Sequence, residues 1–217
     1  ASFVLRDAAH GVGPVAIALD DGPAWIVADL ALMRMGRPTL PLPPFFTADQ
    51  RTHAIKDAGA TAIICPPTDG PGLDLGGQTV GVLQTGASTR ALHPNTGKIT
   101  YTSGSTGAPK GVCLSIAQME AVAISLVQAL GEDQAGVHLP VLPLGVLLEN
   151  IAGLYATLLA GGAYYAAALE DVGLAHSFQP NFAQMAAKIA GSRATSLILV
   201  PELLRGLLAA KQAMGLD

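Results

Sequence analysis

Residues Pro14–Cys65 read PVAIALDDGPAWIVADLALMRMGRPTLPLPPFFTADQRTHAIKDAGATAIIC, and this stretch decides the class of fold. The apolar run Pro14–Leu19 predicts a buried strand, closed by the turn residues Asp20-Asp21-Gly22. Ala24–Met35 predicts a mostly apolar helix that ends at Gly36, and Thr39–Leu42 a short strand. Thr47-Ala48-Asp49-Gln50 has the pattern of a capping box, and the helix it opens runs to Gly59, a residue suited to the position just past a helix end. Ala60–Cys65 is a further apolar strand. Strand, helix, strand, helix, strand at these spacings predicts βαβ units. Near-continuous apolar strands need cover on both faces, so the sheet they form is parallel.

Working outward, residues 66–77 (PPTDGPGLDLGG) read as a Pro/Gly-rich surface segment, and Thr79–Leu83 as a strand. Ser115-Ile116-Ala117-Gln118 offers a second capping box, opening a helix to about Leu130 with Gly131 behind it. Beyond it, Val137–Leu142, Val146–Leu159, Ala163–Ala168, Phe182–Ala190, Thr195–Val200 and Glu202–Met214 alternate as strand, helix, strand, helix, strand, helix. The expected architecture is α/β, with two lobes of largely parallel sheet flanked by helices. The first covers residues 1–127 and ends with the helix after a glycine-rich loop; the second starts at 128 and runs to 217. The helix near 116–130 would join them.

Composition narrows the function. Of 217 residues, 50% are hydrophobic and 13% charged, which excludes a disordered chain. Low charge at this length also implies that part of the surface packs against more protein. Twelve Lys and Arg against sixteen Asp and Glu leave a net charge of −4, so nothing neutralises a phosphodiester backbone and a nucleic-acid binder is disfavoured. Cys65 and Cys113, each in an apolar strand-like run, are expected as buried thiols in a reducing, cytoplasmic setting. No basic segment followed by an apolar core opens the chain, so no signal peptide is expected. Ile151–Leu169 carries no charge and is long enough to span a bilayer, but Gly161-Gly162 interrupt it, which predicts a buried helix and strand instead.

Lys98–Ser115 reads KITYTSGSTGAPKGVCLS and holds the chemistry. Two apolar strands, Ile99–Tyr101 and Val112–Leu114, flank a loop rich in glycine and hydroxyls. Gly104, Gly107 and Gly111 allow tight turns and close approach to a ligand. The hydroxyls of Thr102, Ser103, Ser105 and Thr106, with consecutive backbone N–H groups, can wrap an anion. Lys110 adds a point charge of the kind used on phosphates, and Pro109 stiffens the loop before it. The comparison with the P-loop GxxxxGK[ST] fails. Pro109 stands where the second glycine belongs, Gly111 where the metal-binding hydroxyl belongs, and a strand follows rather than a helix. This is a phosphate cradle of another design.

Tyr101–Gly111, YTSGSTGAPKG, resembles the phosphate-binding loop of the adenylate-forming enzymes: acyl- and aryl-CoA synthetases, peptide-synthetase adenylation domains and luciferases. Residues 23–64, before the loop, are similar to the same family, as are LPLGVLLENIAGLYATLLAGGA and TSLILVPELLRGLL after it. The resemblance implies activation of a carboxylic acid by ATP to an acyl-adenylate, then transfer to the thiol of coenzyme A. In that reading Thr102, Ser103, Gly104, Ser105, Thr106, Gly107, Lys110 and Gly111 hold the ATP phosphates. Lys110 and Thr106 act on the departing pyrophosphate, and Mg²⁺ is carried by the nucleotide. A fatty acyl-AMP ligase, a peptide-synthetase adenylation domain and a non-catalytic nucleotide-binding module are the alternatives. The histidine many members carry after Pro-Leu is replaced by the run Pro143-Leu144-Gly145-Val146. The family's Tyr-Gly-x-Thr-Glu segment, ribose-binding aspartate, hinge and C-terminal lysine do not occur within the 217 residues. The chain is therefore expected to be an N-terminal portion, inactive alone and packed against the remainder of its own protein.

Glu149 is the lone charge in a long apolar stretch. A buried carboxylate contributing to the site and a helix-end carboxylate reaching solvent are both open readings. His10, His53, His93, His138 and His176 lack metal-ligand spacing, so no metal held by side chains is expected. Trp25 and Tyr155 are expected in the core, and Tyr164-Tyr165 as packing residues.

Overall fold

In the computed structural model, β1 (Val15–Ile17), β2 (Thr39–Pro41) and β3 (Ala62–Cys65) run parallel with β1 in the middle. The structure describes the chain except residues 71, 103–108, 132–135, 175–178 and 214–217. A short helix, α1 (Ser2–Ala8), precedes β1. The crossovers are α2 (Pro23–Arg34) and α3 (Ala48–Ala58). Pro23 suits the first turn of α2, where its missing N–H would be unpaired anyway, and the Gln78 side chain accepts from the Ala24 N–H at 3.1 Å. α3 carries the expected capping box, with Thr47 and Gln50 bonded reciprocally, and Gly59 beyond it is left-handed at φ 63°. Every side chain of β1 is fully buried, as a central parallel strand requires.

β6 (Thr96–Thr102) joins the outer edge of β2 in parallel, and β7 (Lys110–Ser115) closes that side antiparallel. On the other side β5 (Gln78–Gln84) and β4 (Leu73–Leu75) are antiparallel, giving the order β4-β5-β3-β1-β2-β6-β7. β4 lies within the segment expected to be plain surface. Leu73 and Leu75 alternate with Asp74, Leu75 is fully buried, and Gly76-Gly77 at φ 63° and 82° make a two-residue return to β5. Paired glycines supply the positive φ that a tight hairpin turn needs, so the same composition that suggested a loop builds a hairpin.

Two compact units divide between Met119 and Glu120. In the first, Ala16, Leu40, Leu42, Ala54 and Ile99 form a core under α3. The same unit holds a buried ion pair against α2. Lys98 Nζ on β6 is 2.6 Å from Asp29 Oδ1 on α2, with 1% and 0% of their side chains exposed. The ammonium lies 5.6 Å from the centre of the Trp25 ring. Burial lowers the Lys98 pKa below the usual lysine value, while the Asp29 charge and hydrogen bond pull it back up. Arg37 ties the start of the chain to the sheet, donating to the carbonyls of Ala9 and Gly13. Cys65 and Cys113 are free thiols, half-buried rather than sealed in the core: Cys65 takes an outward position on β3, where buried and half-buried residues alternate, and Cys113 lies on the edge strand β7, none of whose residues is buried. Burial raises the Cys65 pKa.

α4 (Ile116–Leu130) begins with the second capping box: the Ser115 N–H donates to Gln118, and the Gln118 N–H to the Ser115 hydroxyl. In the second unit, β8 (Val137–His138) and β9 (Ala163–Tyr164) pair in parallel. The expected strand Val137–Leu142 is thus reduced to its first two residues. Thr195–Val200 contributes only a parallel bridge, Ser196 to His138, since its remaining backbone finds no ladder among the described residues. The expected helix Val146–Leu159 forms from Leu148, but Leu148–Tyr155 is wound as a π-helix before continuing as α5 (Ala156–Leu159). α6 (Phe182–Ser192) and α7 (Pro201–Ala213) complete this unit around Leu139, Val141, Val172, Met185 and Leu203. A Cβ at Gly206 would overlap the Phe182 ring, which is how the two helices approach so closely. Among the described residues no helix is long and apolar enough to cross a membrane.

Removing one partner of a buried ion pair leaves a charge without compensation, at a typical cost of about 3–5 kcal/mol. Asp29→Ala is expected to lower unfolding stability by that amount. The double change Asp29→Leu with Lys98→Met, which removes both charges, should cost clearly less. Urea unfolding of the three proteins checks this; a loss under about 1 kcal/mol for Asp29→Ala would show that water or another group compensates Lys98.

Candidate functional site

The β6–β7 hairpin sets the geometry. Antiparallel pairing places Ile99 opposite Cys113, Tyr101 opposite Gly111, and Thr102 opposite Lys110. Both residues at the mouth, Thr102 and Lys110, are exposed. Ser103, Gly104, Ser105, Thr106 and Gly107 lie outside the described residues. β6 starts buried and ends exposed, so one strand carries both the core-facing Lys98 and the solvent-facing Thr102. A bulge between Thr96 and Lys98 sits at Gly97, where a Cβ would come 2.5 Å from the Ile116 side chain.

The root of the hairpin is held by α3. His53 and Asp57 stand four residues apart and so share one helix face. His53 Nε2 is 3.1 Å from the Pro109 carbonyl. The Tyr101 hydroxyl donates to Asp57 Oδ2 at 2.8 Å, and Arg90 pairs with Asp57 Oδ1 at 3.2 Å. The His53 and Tyr101 rings meet edge to face with centroids 6.0 Å apart. Gly111 has a packing role here. A Cβ would sit 3.0 Å from Tyr101 Cζ, so glycine lets the ring lie across β7. Burial, then the hydrogen bond and charge of Asp57, push the Tyr101 hydroxyl well above the usual tyrosine range.

The second unit holds another polar cluster. Glu149 is fully buried, which decides between its two readings: it does not reach solvent. His138 Nε2 lies 3.0 Å from Glu149 Oε1, and the Tyr164 hydroxyl donates to the same oxygen at 2.9 Å. His138 Nδ1 is 3.0 Å from the Ser196 hydroxyl, and the Tyr164 ring stacks on the imidazole at 5.5 Å. An ionised Glu149 accepts from a proton on Nε2, and Nδ1 shares a hydrogen bond with the Ser196 hydroxyl. A Cβ at Gly153 would overlap the Glu149 carboxylate, so this glycine makes the room in which Glu149 turns toward β8. Tyr164, expected as packing, is a polar partner. His138, Tyr164 and Ser196 were missed as a group because they join three segments distant in sequence. The available signal was Glu149 itself, a lone carboxylate in apolar surroundings that must find partners. Beside the cluster opens a cleft of about 360 Å³ lined by Leu126, Leu130, His138, Leu148, Ser196 and Ile198. Among the described residues, no three His, Cys, Asp or Glu side chains come together as a metal site.

A hydroxyl- and glycine-rich loop opened by Thr102 and closed by Lys110, on the edge of a largely parallel sheet, agrees with comparison to known proteins. The model of the AMP-binding enzyme family matches residues 2–216. The chain belongs to that family, whose members include adenylate-forming enzymes. Among curated relatives it is 35% identical over 127 residues to a dimodular nonribosomal peptide synthase of Bacillus subtilis strain 168, covering 48% of this chain and 5% of that protein. It is 29% identical over 129 residues to surfactin synthase subunit 1 of the same strain, covering 55% of this chain and 4% of that protein. Among solved structures, ATP-bound MatB from Rhodopseudomonas palustris superposes with TM-score 0.71 at 24% identity, over 95% of this chain and 43% of that one. The o-succinylbenzoate coenzyme A synthetase of Bacillus subtilis with AMP gives TM-score 0.70 at 18% identity, over 96% and 54%. These likenesses show the fold. The chain spans about half the length of such structures and a few per cent of the peptide synthases.

The raised Tyr101 pKa has a pH consequence with a definite sign. Its stabilising contribution is complete below the unfolded tyrosine pKa of about 10 and is lost as pH rises from there toward the folded value. Between about pH 8 and pH 11, native protein should lose more denaturant stability than Tyr101→Phe does. Equal losses in the two proteins would mean that Tyr101 does not titrate differently on folding.

Proposed function

We propose that this chain supplies the phosphate-holding part of an ATP-dependent enzyme that activates a carboxylic acid as its acyl-adenylate. The observation that carries the reading is the hairpin pairing of Thr102 with Lys110 at the two ends of TSGSTGAPK. A hydroxyl and an ammonium facing one another across a strand pair suit an anionic group held between them, with loop N–H groups and the hydroxyls of Ser103, Ser105 and Thr106 completing the cradle. Lys110 and Thr106 would stabilise charge on the departing pyrophosphate while the carboxylate attacks the α-phosphate. Exposed ammonium and hydroxyl groups suit phosphate oxygens rather than a bare cation. Mg²⁺ would therefore arrive on the nucleotide and neutralise part of its charge.

The leading reading for the second step is transfer to coenzyme A. A carrier-protein thiol is the second reading, favoured by the peptide synthases among the sequence relatives. The uncharged walls of the cleft beside Leu148 support an acid with an apolar body. We place the reaction in the cytoplasm, where ATP and reduced thiols are present. The 217 residues alone are proposed to be inactive and to work with further parts of an adenylating domain. Two or three exposed phosphate contacts at about 1.5–3 kcal/mol each scarcely offset an association cost of about 4–15 kcal/mol.

The test is acid-dependent ATP–pyrophosphate exchange by the complete gene product, by this chain alone and by the complete protein carrying Lys110→Ala. The complete protein is expected to exchange, the chain alone not to. Lys110→Ala is expected to fall by about 10²-fold in turnover, the typical effect of removing one preorganised donor from a developing charge. Undiminished exchange by Lys110→Ala would remove Lys110 from the mechanism. Formation of a coenzyme A thioester, or its absence beside loading of a carrier protein, separates the two acceptors.

A further inference from the structure

We propose that His53 is a positioning residue for Lys110, acting through the peptide group that joins Pro109 to it. The proposal rests on the reading of the loop as a phosphate cradle. His53 Nε2 lies 3.1 Å from the Pro109 carbonyl oxygen. That carbonyl and the Lys110 N–H belong to one rigid peptide plane, so a bond to the oxygen also orients the amide and the Cα that carries the lysine side chain. Proline has no N–H of its own, and its ring fixes φ. The carbonyl is therefore the handle by which a neighbour can hold this end of the loop.

The opposite end is held from the same helix face. One turn along α3 from His53, Asp57 accepts the Tyr101 hydroxyl at 2.8 Å, immediately before Thr102. Arg90 steadies Asp57 from the far side at 3.2 Å, and the His53 ring packs edge-on against Tyr101. One helix thus grips the strand entering the loop at Tyr101, one residue before Thr102, and the chain leaving it at Pro109, one residue before Lys110. α3 is itself well fixed, by its capping box, by the left-handed Gly59, and by buried Ala54 and Ala58 against the sheet. In its Nε2-protonated form the imidazole donates to the carbonyl whether it is neutral or charged, so the brace persists on protonation. His53 touches no nucleotide in this scheme; it sets where Lys110 starts from before ATP arrives.

The test compares His53→Leu, which removes the donor, with His53→Gln, whose amide N–H can replace Nε2–H, in the complete protein. A net hydrogen bond of ordinary strength corresponds to about a 2–12-fold effect. His53→Leu is expected to raise KM for ATP by that factor, leave KM for the acid unchanged and leave the thermal midpoint close to wild type. His53→Gln is expected to restore most of the loss. Equal KM for ATP in wild type and His53→Leu, or equal impairment of both variants, overturns the proposal. So does a parallel rise in both KM values. Amide hydrogen exchange at Lys110 reads the brace without any activity. It should quicken about 2–12-fold in His53→Leu and return in His53→Gln, and no change overturns the proposal. If wild type shows no acid-dependent exchange of pyrophosphate, the cradle reading fails, while amide exchange still decides whether His53 orients Lys110.

Discussion

The Lys98–Asp29 pair is the constraint around which the first unit is arranged. It binds β6, the last parallel strand, to α2, the first crossover helix, with both charges out of water. Such a pair adds little net stability, because desolvating two ions offsets most of their attraction. Its effect is on register. If β6 slid by one residue, the side-chain alternation would carry Lys98 off its carboxylate and leave two buried charges apart. The strand that delivers Thr102 to the surface is held at one position.

From that fixed strand the site is assembled at the sheet edge. Tyr101 lies across Gly111, and α3 reaches both roots of the hairpin. Three residues of the YTSGSTGAPKG motif thereby have packing roles of their own. Tyr101 anchors, Gly111 makes room for its ring, and Pro109 offers a carbonyl to His53.

The second unit solves a similar problem differently. Glu149 sits in an apolar interior because His138 and Tyr164 supply donors to one of its oxygens and Gly153 leaves space for it. The π-helical winding of Leu148–Tyr155 accompanies this. A wider helix changes which side chains face β8, and π segments are seldom tolerated without such a local demand. His138 in turn carries the network to Ser196 at the wall of the cleft.

Much of this was legible in the sequence. Apolar strands alternating with capped helices from Pro14 to Cys65 determined a parallel α/β sheet, because burial on two faces and helix capping are local demands that leave local patterns. The two apolar strands of Lys98–Ser115 pointed to a hairpin, which β6 and β7 form, and the residues between them support the anion-holding role proposed here. Glycine, hydroxyls and a lysine are required where backbone must approach phosphate. Tertiary structure alone decided the partners: Asp29 for Lys98, Asp57 for Tyr101, His53 for Pro109, and His138 with Tyr164 for Glu149. It also made Leu73–Leu75 a paired strand and confined Thr195–Val200 to a single bridge. In each case the deciding group lies far along the chain, and a buried charge, a carbonyl or a strand edge shows in its own sequence only that it needs a partner. Which partner it has depends on how the helices and strands pack.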